Sequence, residues 1–219
     1  MKDNILESIT NIVKAKLLFA EAGHDWLHVS RVVSLAKQIA DTEPNADTQV
    51  VVLAALLHDI ADAKFHNGDE NIGPMMAESL MSDHSVDRNI IRHVSDIIRN
   101  MSYKGGFAWS DFSSLELDIV RDADRLDAIG AIGIARAFTY GGYKNRRLYD
   151  LDELPSAFES RESYKNHQGS TFNHFYEKLI KLKDTFKTPK AQQLASARHD
   201  FMISYMKHFI EETGLESRF

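Results

Sequence analysis

The chain contains no cysteine, which excludes disulfides and thiolate metal sites and suits a reducing cytoplasm. No apolar run approaches the roughly 20 residues needed to span a bilayer. The start, Met1-Lys2-Asp3-Asn4, leads into an amphipathic stretch rather than the apolar block of a signal segment. Positive charge is not in excess: the net charge is −6, which argues against wholesale nucleic-acid binding and means that an anionic substrate needs a local positive site. There is no hairpin signal, internal repeat or low-complexity tract. These absences predict a cytoplasmic protein with no membrane attachment and no stable nucleic-acid partner; they leave its oligomeric state open.

What is present is helical periodicity. At 219 residues, with 43% hydrophobic and 26% charged content, the chain is long enough for one well-buried core, and a single domain over 1–219 is expected. Ile5, Ile9, Ile12, Val13 and Leu17 stripe one segment, and Val29, Val32, Val33, Ala36 and Ile39 a second. Pro44-Asn45-Ala46-Asp47 breaks the chain, with Asp47 placed to cap the next helix. Val50 to Ile60 is apolar nearly all round. It predicts a central buried helix, the Leu- and Ala-rich continuation outweighing the β-branched Val50-Val51-Val52. Helices are also expected over Ile72–Met81, over the stripe Ile90, Ile91, Val94, Ile97 and Ile98, and as one or two over Leu115–Phe138, ended by Gly141-Gly142. Two more are expected at about 171–184 and 189–213, the latter opened by Thr188-Pro189. Residues 143–170 are polar and poorly periodic. The predicted fold class is all-α.

Three stretches carry imidazoles and carboxylates inside these helices: Gly23-His24-Asp25-Trp26-Leu27-His28; Leu56-Leu57-His58-Asp59-Ile60-Ala61-Asp62; and Val120-Arg121-Asp122-Ala123-Asp124-Arg125-Leu126-Asp127. Unpaired, such groups are costly to bury; a shared divalent metal satisfies them together. Asp at a helix C-terminus, as in His58-Asp59, also opposes the helix dipole and calls for a nearby cation. A set of two histidines and two aspartates is borderline to hard. It suits Mn²⁺, preferred here, or Mg²⁺, Fe²⁺, Co²⁺ or Ni²⁺, with Zn²⁺ admissible. From spacing alone, Asp122, Asp124 and Asp127 compete for the fourth position. Asp62, four residues after His58, faces the same side of a helical turn, as does Asp25, three before His28.

A His, then an adjacent His-Asp, then a distant Asp, in the strings HDWLH, LLHDIAD and DADRLDAIGAIGIAR, resembles the HD superfamily of metal-dependent phosphohydrolases, and in particular its small stand-alone bacterial branch. The likeness covers roughly residues 20–150, with 151–219 as a C-terminal helical extension. It implies an HD-type helical bundle holding one divalent ion on His28, His58, Asp59 and Asp124. Asp124 is selected because its Ala-Asp-Arg-Leu setting matches the family's metal aspartate. It also implies Asp62 as general base, since an acidic residue at this offset orients the attacking water in related enzymes. Asp25, Asp127 and His93 are candidates to support the ligands from behind. Lys64, Arg125 and Lys104 are candidates to bind substrate phosphate, with Arg31 beside them. Lys144, Arg146 and Arg147 are candidates to reach a polyphosphate tail, and Tyr103, Phe107, Trp109 and Tyr140 to stack on a base. Two-metal relatives carry two further histidines before the last Asp. Of His66, His84 and His93 only His93 is suitably spaced, so one metal is expected. The GYP motif of cyclic-dinucleotide phosphodiesterases is absent. The expected activity is hydrolysis of a small phosphorylated substrate, a nucleotide. Nucleoside triphosphate pyrophosphohydrolysis is preferred over phosphomonoester hydrolysis or a metal-containing sensor.

Overall fold

The computed structural model describes residues 2–18, 20, 24–61, 69, 71–101, 111–158, 162–163 and 167–215. Among these the regular elements are helical. The described chain falls into two compact units, one comprising residues up to 101 with 111–124, the other running from 125 onwards. No helix among the described residues is long and apolar enough to cross a membrane.

The first unit is built around α3, Thr48–Leu57. Asp47 starts it as predicted: its carboxylate accepts from the backbone N–H of Gln49 at 2.9 Å and of Val50 at 3.2 Å. Every residue from Val50 to Leu57 is buried, so the helix has no polar face and must lie at the centre. Around it pack α1 (Lys2–Lys16), α2 (Trp26–Ala40) and α5 (Arg88–Asn100), and α4 (Ile72–Asp83) packs on α5. α2 turns a stripe of Val29, Val32, Ala36 and Ile39 inward. α6, Leu115–Asp127, begins in this unit. Ser114 Oγ accepts from the Leu117 N–H at 3.1 Å, and Glu116 Oε1 accepts from the Asp47 N–H at 3.0 Å. The start of α6 is thereby tied to the start of α3.

In the second unit α7 (Gly130–Tyr143) packs on α9 (Pro189–Thr213), which Pro189 opens and Gly214 closes with φ +71°. Gly130 takes φ +77° where the chain leaves α6, a conformation that favours glycine. The core is aromatic: Phe172 stacks on Phe209 at 4.2 Å between centroids, and Phe138 lies 5.7 Å from Phe175.

Three sequence expectations are corrected. The buried helix stops at Leu57, not Ile60, with His58 as its C-cap. The segment 171–184 is not one helix; it is a short α8, Asn173–Glu177, followed by a 3₁₀ helix at Leu179–Thr185, separated by Lys178 at φ −137°. Gly141-Gly142 does not end α7, which runs through to Tyr143. Gly141 serves close packing instead: a Cβ there would fall 2.1 Å from Thr171 Oγ1.

Candidate metal centre

Asp25 is the N-cap of α2, and its Oδ1 accepts from the backbone N–H of His28 at 2.9 Å. That bond places His28 in the first turn, where its ring is 1% exposed. His58 comes directly after the last residue of α3, and its Nδ1 lies 2.9 Å from the carbonyl of Ala55. A carbonyl only accepts, so Nδ1 carries the proton and Nε2 presents a lone pair.

That lone pair faces a cluster. His58 Nε2 is 3.3 Å from His28 Nε2, 3.5 Å from Asp59 Oδ2 and 4.0 Å from Asp124 Oδ1. His28 Nε2 is 3.5 Å from both Asp59 Oδ2 and Asp124 Oδ1. These separations exceed ordinary hydrogen bonds of about 2.7–3.2 Å. They match donors sharing one ion at about 2.0–2.2 Å, which stand about 3–4 Å apart. Among the described residues two groups of donors could hold a metal ion: His28, His58 and Asp124, and His24, His28 and Asp59. Asp122 and Asp127 belong to neither.

Residues 26–129 match the model of the HD domain. Over 202 residues the chain is 37% identical to the uncharacterized protein YpgQ of Bacillus subtilis, covering 92% of this chain and 90% of that one. The chain belongs to the HD superfamily of hydrolases. A crystal structure from Lactobacillus plantarum superposes on it with a TM-score of 0.84 at 34% identity, covering 98% of this chain and 99% of that one. An HD-superfamily hydrolase from Bacillus thuringiensis gives 0.75 at 36%, covering 99% and 100%. YpgQ itself, solved in complex with ADP, gives 0.75 at 34%, covering 95% of each.

The electrostatics of the HD centre turn on Asp59. Burial works against its ionisation, but the charges of the neighbouring His58 and His24, with the hydrogen bond from His24 and the nearby His28 ring, outweigh it and hold the carboxyl well below its ordinary range. His24 was not among the site residues expected from sequence. Its Nδ1 lies 2.6 Å from Asp59 Oδ2. The signal was present, since His24 stands four residues before His28 in the same motif, but the two are joined to Asp59 only by tertiary packing.

Asp25 supports His28 through its backbone, not its ring. Asp127 is buried and paired with Arg136 Nη1 at 2.9 Å, so a guanidinium takes its charge. His93 is held at the start of α6, with Nε2 3.0 Å from Ser114 Oγ and 3.5 Å from Glu116 Oε2. Asp124 sits nine residues after the first residue of α6, roughly 14 Å along its axis, so His93 packs on the start of that helix and away from Asp124. Arg125 donates from Nη1 to the Thr185 carbonyl at 2.9 Å. Asp62, Lys64 and Lys104 lie outside the described residues, as do Tyr103, Phe107 and Trp109.

Proposed function

We propose that this HD protein is a metal-dependent phosphohydrolase acting on nucleotides, with release of pyrophosphate from nucleoside triphosphates as its preferred reaction. The observation that carries the reading is the convergence of His28, His58, Asp59 and Asp124, two imidazoles and two carboxylates within 4.0 Å across each pair measured. These four residues would hold one divalent ion, Mn²⁺ by preference. The ion would supply a lowered pKa for water and polarisation of phosphorus.

The chain's own residues do the rest. The Ala55 carbonyl keeps His58 in the tautomer with a bare Nε2. Asp25 fixes the backbone of His28. Asp59 is ionised at neutral pH, its pKa lying well below the ordinary carboxylate value. Asp62, three residues after Asp59 in sequence, accepts the proton of the attacking water. Lys64, Lys104 and Arg125 bind phosphate oxygens. That the relative YpgQ was solved with ADP supports a nucleotide substrate. The proposed site of action is the cytoplasm, and the proposed organisation one functional domain over the whole chain.

The test is turnover of Mn²⁺-loaded protein against a nucleotide panel, with phosphate and pyrophosphate followed separately. Pyrophosphate from triphosphates is the expected product. Phosphate from nucleoside monophosphates, with no pyrophosphate from triphosphates, would make the protein a phosphomonoesterase. No turnover of any nucleotide would overturn the enzymatic reading in favour of a metal-containing sensor.

A further inference from the structure

A cleft of about 350 Å³ in the second unit is lined at one wall by Lys144, Asn145, Arg146 and Arg147, just past the end of α7, and at the other by Gln168 and Ser170. The two walls are fastened by backbone. The Thr171 N–H donates to the Arg147 carbonyl at 2.9 Å, and the Phe172 N–H to the Leu148 carbonyl at 3.0 Å. Asn145 turns the chain with φ +53°, and the Arg146 N–H returns to the Gly141 carbonyl at 2.9 Å. Gly141 in turn is packed too tightly on Thr171 to carry a Cβ.

The polar groups of this cleft do not balance internally. Both of its carboxylates are engaged: Asp150 is paired with Arg147, and Glu153 Oε2 accepts from the Ser170 N–H at 2.8 Å and Asn173 Nδ2 at 3.1 Å. Lys144 and Arg146 instead flank one aromatic ring. Lys144 Nζ lies 5.7 Å and Arg146 Cζ 5.8 Å from the centroid of Tyr140. Arg146 also donates from Nη2 to the His167 carbonyl, a long contact of 3.4 Å that leaves its charge in place. An aromatic ring does not neutralise either cation, so both keep a positive charge that an anion in the cleft would offset. The decisive group is Ser170. The residue is 5% exposed, and its hydroxyl is buried with no hydrogen-bond partner among the described residues. A buried unsatisfied hydroxyl is destabilising unless something binds it.

We propose that this cleft binds the phosphoryl group of a small ligand, with Lys144 and Arg146 supplying charge and Ser170 Oγ donating to a phosphate oxygen. Arg147 is already neutralised by Asp150 and contributes less. The site lies wholly within residues of the second unit and does not depend on the metal reading.

The experiment is calorimetric titration of the full chain with sodium pyrophosphate in excess EDTA. Wild type should bind. Lys144→Ala–Arg146→Ala should weaken binding by about tenfold or more, as expected for losing charge-assisted hydrogen bonds. Ser170→Ala should weaken it severalfold with Tm unchanged or raised, because only an unsatisfied hydroxyl is removed. It keeps the test valid if the double variant fails to fold. His58→Ala–Asp59→Ala should bind as wild type does. No binding to chelated wild type would overturn the proposal, as would unchanged affinity in the cleft variants. Loss of binding in the His58→Ala–Asp59→Ala protein would assign the anion to the metal centre instead.

Discussion

The Nε2 atoms of His28 and His58 stand 3.3 Å apart, although the two residues are 30 positions apart in sequence. With Nδ1 of His58 committed to the Ala55 carbonyl, both rings turn the same nitrogen to one point, and two carboxylates meet them there.

Metal content should reflect that convergence. Protein loaded with Mn²⁺ and desalted should retain about one ion per chain by elemental analysis, and His58→Ala–Asp59→Ala should retain almost none, because two of the four proposed donors are gone. Equal content in the two proteins would remove the basis for the centre.

Asp25 separates stability from chemistry. Asp25→Ala deletes the α2 cap and should lower stability by roughly 1 kcal/mol, or about 2–4 °C in Tm for a chain of this size. Metal affinity should fall with it, since the cap sets the backbone of His28. Asp25→Ser, which still caps, should restore both. If Asp25→Ser binds metal no better than Asp25→Ala, the carboxylate acts in some way other than as a cap.

For Asp62, the nearly isosteric Asp62→Asn should leave metal content normal and lower turnover on the order of 10²–10⁴-fold, the range for general-base catalysis, with little change in substrate affinity. Wild-type turnover would reduce Asp62 to a surface carboxylate. Loss of metal together with activity would make it a ligand.

Acid should destabilise the second unit through His174. Burial, then the charges of Lys178, Arg146 and His167, push this imidazole down to about 3. Unfolded, it titrates near 6.5. The stabilisation from keeping it neutral is therefore present above about pH 6.5 and is lost as pH falls towards about 3, at up to about 1.4 kcal/mol per pH unit. His174→Gln should flatten that part of the profile in denaturant titrations between pH 7 and 4. An unchanged slope would show that His174 titrates normally.

Gly141→Ala should be destabilising by about 1–3 kcal/mol, the range for overpacking, because its Cβ would lie 2.1 Å from Thr171 Oγ1. A Tm equal to wild type would mean that Thr171 moves aside freely.

The sequence by itself determined most of the helices and the order of the chemical groups along them. Apolar spacing specifies which face of a helix turns inward, and Asp47 and Thr188-Pro189 mark starts through local physics alone. The unbroken apolar run Val50–Leu57 could only be central. Tertiary structure decided what each face meets. Asp122, Asp124 and Asp127 share one short stretch of α6, yet Asp124 alone of the three stands with the histidines, while Asp127 is claimed by Arg136. From sequence, His93 is a candidate to support the ligands and His24 is not. Packing sent the first to Ser114 and Glu116 and the second to Asp59. Spacing fixes direction within one helix, but a ligand, a cap and an ion pair differ only in what arrives opposite, and that partner comes from a segment distant in the chain.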